Sequence, residues 1–164
     1  MKDSLQISYP YYVNVTAFDF GSPASGLPSL ETPITTGAVV AYAWDNADSV
    51  AAKDLKVYVY PNPYRSDGGY LEHGYETAVQ NRKDLSRRVH FANVPPKCKI
   101  RIFTLDGDLV KEINHDMSAA DPAATHAEWD LVTRNTQAVV SGLYYWTVES
   151  TDGNIQIGKL VVIL

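Results

Sequence analysis

The chain has 164 residues, of which 45% are hydrophobic and 20% are charged, as is typical of a globular protein with a buried core. This length fits one domain, or one domain with an appendage. The formal net charge is −5, and the sequence has no basic stripe, so we expect no nucleic-acid partner.

A single cysteine, Cys98, excludes a disulfide framework within the chain and a thiolate metal cluster. Its position at the start of an alternating strand predicts a buried thiol. No apolar run approaches the roughly 18 residues of a membrane span, so no membrane insertion is expected. The segment Met1-Lys2-Asp3 does not open a signal peptide. We favour a fragment of a larger protein over a cytoplasmic protein.

The first fifty residues predict two strands joined by a long loop. Residues 5–20 alternate with the period of two that a strand imposes, and a second strand is predicted at about 36–44. Pro10 has no backbone N–H, so the first strand is expected at a sheet edge or after this proline. Prolines, glycines and hydroxyl residues punctuate 21–33. Two strands cannot bury a core by themselves, so they are predicted to pair with the rest of the chain, another copy or a missing partner.

These two strands supply the predicted interface. An open sheet edge offers main-chain hydrogen bonds to an added strand, and aromatic side chains often anchor protein interfaces. The residues predicted to form this interface are Tyr9, Tyr11, Tyr12, Val13, Val15, Phe18, Val39, Tyr42 and Trp44.

The chain changes character near residue 54. Residues 1–54 hold six acids and two bases, whereas residues 55–164 hold thirteen acids and twelve bases. Residues 45–54 are polar and rich in alanine, which is typical of a linker. We therefore predict a strand extension with its linker over 1–54 and a separate domain over 55–164.

The second part predicts short strands separated by turns. Prolines 61 and 63 interrupt the strand at 57–64, which indicates an edge strand or a strand that changes sheets. The clearest pattern is at 99–113, where two alternating strands flank an Asp106-Gly107 hairpin turn. Further strands are predicted at 89–91, 126–132, 143–150 and 155–164. Strands at spacings of about 8–12 residues are typical of an antiparallel β-sandwich.

Four segments carry a resemblance to a known family: VYPNPYR (59–65), NRKDLSRRVHFANVPPKCKIRIFTLDGDLVKEINHD (81–116), WDLVTRNTQAVVSGLYYWTVES (129–150) and GKLVVIL (158–164). Over roughly 57–164 the chain resembles the immunoglobulin-like module related to that of the flagellar hook-capping protein. Close relatives of this module are C-terminal sorting domains of the type IX secretion system. Residues 9–20 resemble the last strands of a fibronectin type III domain.

The resemblance implies an all-β fold, an antiparallel immunoglobulin-like β-sandwich with an N-terminal two-strand extension. Residues 1–54 would then be a partial fibronectin type III-like unit, or a strand extension, with its linker. The resemblance also implies a bacterial protein that is extracellular or at the cell surface.

No pattern predicts an enzyme, a cofactor or a metal site. A hydrolase would need a nucleophile, a base and an orienting group. The four histidines lie in neither a nucleophile-elbow nor a zincin motif, and each is expected to be structural. They are His73, His90, His115 and His126. Asp106 and Asp108 lack the further acids of a calcium loop, and the acidic loop at 67–73 is expected to be solvated.

The function predicted is that of a non-enzymatic structural or interaction module, with a second protein or another copy as partner. An extension of this hypothesis is self-assembly into a head-to-tail filament, by strand addition from residues 1–50. One alternative is a C-terminal sorting or anchoring domain for type IX secretion. A second is a carbohydrate-binding module, since outward-facing tyrosines at 57–64 and 143–150 suit cross-strand pairing, a protein interface or stacking on sugars.

Overall fold

The computed structural model describes residues 5–79 and 82–164. Within them the chain forms two compact units, Met1–Ala43 and Trp44–Leu164. Each unit has its own sheet structure.

The first unit is built on an antiparallel pair, β1 (Pro10–Val13) and β2 (Val39–Tyr42). Pairing continues beyond these strands through isolated bridges between Phe18 and Glu31 and between Ser22 and Leu27. Residues 5–43 therefore form one hairpin, here called the long hairpin, where the sequence predicts two strands and a loop. Gly21 has a φ of 66°, and a Cβ there would meet the backbone of Leu27, so glycine is needed near the tip.

A short helix, α1 (Ala47–Ala52), occupies the segment that the sequence predicts to be a linker. The side chain of Asn46 caps it by accepting a hydrogen bond from the Ser49 N–H at 2.8 Å. Ala47 is buried, and the Thr125 hydroxyl donates a hydrogen bond to the Asp45 carbonyl at 2.6 Å. This segment thus belongs to the second unit, which starts at Trp44 and not at the predicted residue 55.

The second unit is a β-sandwich of two sheets. The first sheet has the strand order β4-β10-β9-β6-β7 and the second has the order β3-β5-β8. Neighbouring strands are antiparallel, with β4 and β10 as the parallel exception. The all-β antiparallel sandwich predicted from the sequence is confirmed. The elements are β3 (Tyr58–Tyr60), β4 (Tyr64–Arg65), α2 (Lys83–Ser86), β5 (Val89–Ala92), β6 (Lys97–Phe103), β7 (Leu109–Asp116), β8 (His126–Trp129), β9 (Gly142–Ser150) and β10 (Ile155–Ile163).

The proline-containing strand predicted at 57–64 both lies at edges and changes sheets. β3 is an edge strand of the three-stranded sheet, and β4 is an edge strand of the five-stranded sheet. Pro61 and Pro63 lie between them, where the chain crosses from one sheet to the other and needs no ladder N–H. The prediction for this segment is confirmed.

Aromatic side chains join the two sheets in a common core. Phe91 of β5 meets Trp146 of β9 edge to face, with ring centroids 5.8 Å apart. Trp129 of β8 meets Tyr144 of β9 in the same way at 6.0 Å. Cys98 also lies in this core, and burial raises the pKa of its thiol to about 12. The predicted buried cysteine is therefore confirmed.

Glycine at position 158 makes room for one of these core rings. Gly158 of β10 lies opposite Trp146 in the sheet register, and a Cβ on Gly158 would overlap the indole ring. Because Trp146 is buried, its ring cannot move aside without disturbing the core. We expect Gly158→Ala to lower the free energy of unfolding by about 1–3 kcal/mol, measured by urea denaturation.

Gly142→Ala is the matched control for this substitution. Gly142 opens β9, and a Cβ there would make an ordinary contact, 3.8 Å from the Tyr144 ring. We expect its effect to stay within about 0.5 kcal/mol. Equal effects of the two substitutions would contradict the packing role of Gly158.

Candidate functional site

Apolar side chains lie exposed along the long hairpin. Among residues 5–43, Pro10 alone is buried. Val15 is 88% exposed and Phe18 is 64% exposed, and the predicted interface residues Tyr9, Tyr12, Val13 and Val39 are exposed as well. Further exposed apolar residues in the same segment are Leu5, Ile7, Phe20, Leu27, Leu30, Ile34 and Val40. The hairpin thus presents apolar surface without a core of its own.

Polar contacts, not burial, fix the shape of the long hairpin. The Thr16 hydroxyl donates a hydrogen bond to the Glu31 carboxylate at 2.6 Å. The Asn14 amide donates to the carbonyl of Ile34, and the Gln6 N–H donates to the Tyr11 hydroxyl at 2.6 Å. Tyr11 and Tyr42, two of the predicted interface residues, are half-buried.

The strand β2 has an edge that pairs with no strand in the described part of the chain. Residues 32–44, which contain β2, carry no charged side chain. Exposed edge strands are usually protected by charges, prolines or bulges, because an unprotected edge is a template for pairing with another chain. β1 begins with such a proline, Pro10. The edge of β2 is therefore the more open of the two.

Trp44 belongs to the second unit and not to the long hairpin. Its indole ring stacks on the imidazole of His126, with ring centroids 4.1 Å apart and planes 14° from parallel. His126 stacks on His90 at 5.1 Å, and His90 stacks on Tyr60 at 5.0 Å. These four rings, from Trp44 through His126 and His90 to Tyr60, are here called the ring stack.

The ring stack lies on the outer face of the three-stranded sheet. In the sheet register Tyr60 is opposite His90, and His90 is opposite Glu128, so all three share a face. His126 precedes Glu128 by two residues in β8 and points to the same side. The neighbouring residues Phe91 and Trp129 point inward and are buried in the core.

Three potential metal ligands meet on this face. The Nδ1 atom of His90 is 3.0 Å from the Nε2 atom of His126 and 3.5 Å from Oε1 of Glu128. The ligand atoms of the three residues all lie within 4.8 Å of one another. His90 and His126 are buried, whereas Glu128 is exposed. Two imidazoles and a carboxylate form a donor set that suits a transition-metal ion.

The surroundings of the two rings orient His90 and determine the pKa of His126. The Nε2 atom of His90 is 2.7 Å from the carbonyl oxygen of Tyr75. Because a carbonyl only accepts, Nε2 of His90 donates the hydrogen bond to Tyr75, and Nδ1 of the same ring faces His126 and Glu128. Burial lowers the pKa of His126 to about 4, and the adjacent His90 ring acts in the same direction. His126 is therefore neutral at neutral pH.

From the sequence, His90 and His126 are expected to be separate structural histidines, and no role is predicted for Glu128. A partial signal exists in the sequence, since His126 and Glu128 are two residues apart in a predicted strand and must share a face. What the sequence lacks is the register that places His90 opposite Glu128. By contrast, His115 is buried and hydrogen-bonded to the Ala124 carbonyl at 2.8 Å, as a structural histidine would be.

Two predicted interface residues are expected to differ in their effect on stability. Trp44→Ala removes an indole from the ring stack and should lower the free energy of unfolding by on the order of 2 kcal/mol. Tyr12→Ala removes an exposed ring from the long hairpin and should change it by less than about 0.5 kcal/mol at low protein concentration. Urea denaturation followed by far-ultraviolet circular dichroism measures both. Equal losses would contradict the different environments of the two rings.

In the described part of the chain no helix is both long enough and apolar enough to span a membrane. No protein-family model matches the sequence, and no curated protein matches it.

Some solved structures are similar in part. PorZ, an essential bacterial surface component of the type IX secretion system of Porphyromonas gingivalis, is 21% identical, with a TM-score of 0.46 over 86% of this chain and 14% of PorZ. Dimeric latent PorU from the same organism is 16% identical, with a TM-score of 0.40 over 84% of this chain and 11% of PorU. CopC from Methylosinus trichosporium OB3b is 26% identical, with a TM-score of 0.30 over 46% of this chain and 74% of CopC. At TM-scores below 0.5, neither a fold family nor a function is transferred to this chain.

Proposed function

We propose that the protein is a non-enzymatic interaction module, extracellular or at the cell surface, that self-associates through the long hairpin. The observation that carries this proposal is the set of exposed apolar side chains on residues 5–43. A two-stranded hairpin without a covering layer is marginally stable in water. Covering its apolar side chains would stabilise it by about 25 cal/mol for each Å² removed from water.

The edge of β2 is the proposed point of contact. Residues Val39–Tyr42 pair with β1 on one side, and the surrounding segment carries no charge that would oppose an added strand. Strand addition supplies main-chain hydrogen bonds along the edge, and side chains such as Val40 and Tyr12, which lie opposite each other, supply apolar contact.

A second copy of the chain is the proposed partner. A β-strand can pair antiparallel with the same strand of a second copy across a two-fold axis. Each pair of opposite residues then occurs twice, once on either side of the axis. Such an isologous contact requires no other protein and would convert two hairpins into one four-stranded sheet. Addition to a different edge would extend the assembly into a head-to-tail filament.

Val40→Lys tests this proposal directly. Val40 lies in the middle of β2 and is exposed, and a lysine there would place a charge on the pairing edge. We expect light scattering to show wild-type multimers, and we expect Val40→Lys to raise the dissociation constant at least about tenfold, equivalent to about 1.4 kcal/mol.

Val140→Lys is the matched control, since Val140 is exposed in the second unit and outside every strand. It should self-associate like the wild type. A wild type that stays monomeric over the whole concentration range, or a Val40→Lys variant that self-associates unchanged, would refute the proposal.

A second candidate function is that of a C-terminal sorting domain for type IX secretion. The observation that favours it is the position of the four segments that carry the sequence resemblance, which together contribute to β3 through β10 of the sandwich. In this alternative the sandwich is the part recognised by the export machinery. Binding of carbohydrate by exposed rings such as Tyr58 and Tyr145 stays a prediction from the sequence.

The sorting function has its own test. We expect residues 44–164, fused to the C-terminus of an inert reporter, to direct the reporter out of a host with a working type IX system. The reporter alone is the control, and its location is measured by fractionation and immunoblotting. Retention of a folded fusion inside the host would rule out this function and would leave self-association untouched.

A further inference from the structure

We propose that His90, His126 and Glu128 form a binding site for a divalent transition-metal ion, with Zn²⁺ as the representative ion. The site would lie on the outer face of the three-stranded sheet, within the second unit. It is independent of the long hairpin and of any self-association.

The separations of the ligand atoms support coordination of one ion. Zinc bonds to imidazole nitrogen and carboxylate oxygen are about 2.0–2.2 Å long, so neighbouring ligand atoms in a tetrahedral site lie about 3.3 Å apart. The Nδ1 atom of His90 lies 3.0 Å from the Nε2 atom of His126 and 3.5 Å from the Glu128 carboxylate. All the ligand atoms fall within 4.8 Å of one another. The Glu128 side chain is 45% exposed and can rotate to shorten the longest separation.

The surroundings of His90 match those of a metal-bound histidine. Metal-binding histidines usually donate their second ring N–H to a carbonyl or carboxylate, which fixes the tautomer and the ring orientation. The Tyr75 carbonyl accepts such a hydrogen bond from Nε2 of His90 at 2.7 Å. Stacking on Tyr60 holds the same ring from its face, with planes 16° from parallel. The Nδ1 atom of the same ring thereby faces the proposed site.

An ion at this site would replace a proton between the two histidines. Without metal, one N–H lies between the two rings, whose facing nitrogens are 3.0 Å apart. With metal, both nitrogens give their lone pairs to the ion, and the displaced proton moves to the other ring nitrogen of His126 or is released to the solvent. In either case the ion binds both rings in their neutral form, and the displaced proton is accounted for.

The third ligand supplies charge and a route of entry. The Glu128 carboxylate is exposed to solvent, whereas both rings are buried beneath Trp44 and Tyr60. Arg88 approaches this carboxylate at 3.8 Å and would compete weakly for it, since a partly exposed ion pair at that distance contributes little. Three protein ligands leave a fourth position for water, as in open zinc sites.

The test is a titration of the untagged 164-residue chain with Zn²⁺, measured by isothermal calorimetry after metals have been removed by chelation. We expect one ion per chain. Titration with Co²⁺ should produce the visible absorption bands of a four-coordinate site. Glu128→Gln should weaken Zn²⁺ binding at least about tenfold, because even partners outside the ligand set are worth about 10–100-fold. His126→Gln should abolish binding.

Two substitutions in the exposed loop at 67–73, Glu72→Gln and His73→Gln, are the matched controls and should bind Zn²⁺ like the wild type. Circular dichroism checks the fold of every variant. If His126→Gln does not fold, the exposed Glu128→Gln carries the test. A wild type that binds neither Zn²⁺ nor Co²⁺ would overturn the proposal and leave a hydrogen-bonded histidine pair. Undiminished Zn²⁺ binding by a folded Glu128→Gln variant would also overturn the proposal.

Discussion

The sandwich depends on aromatic side chains that meet between its two sheets, and this packing also decides which residues face outward. Phe91 contacts Trp146, and Trp129 contacts Tyr144, across the core. Because neighbouring residues in a strand point to opposite faces, burial of Phe91 turns His90 outward. The outer face of the three-stranded sheet, with its stacked rings and its potential metal ligands, is thus a consequence of how the core is packed.

The long hairpin is organised by a different balance of forces. Its backbone pairs along most of its length, and side chains such as Thr16 reach across to reinforce the pairing. Its apolar side chains, however, remain exposed, and their burial is what usually stabilises a sheet. The sandwich buries its apolar side chains within the unit Trp44–Leu164, while the hairpin has a surface that a partner strand would cover. This contrast is the physical basis of the proposed self-association.

The sequence predicts the sandwich well where the signals are local. Alternation places Ile100 and Ile102 in the core, and Gly107, with a φ of 91°, supports the predicted turn of the central hairpin. The helix α1 is harder to predict from the sequence, because an alanine-rich polar segment is also typical of a linker. The Asn46 cap stabilises so short a helix only when tertiary contacts hold it in place. The histidine cluster depends on the register between β5 and β8, and register between distant strands is set by core packing that no local pattern reveals.

The central claim is that residues 5–43 drive self-association. The most direct measurement is the molar mass by light scattering, over a range of concentrations, of the 164-residue chain and of a chain that begins at Trp44. We expect multimers for the 164-residue chain and a folded monomer for the shorter one. A monomeric 164-residue chain would contradict the claim. Multimers with the same number of protomers in both chains would contradict it as well.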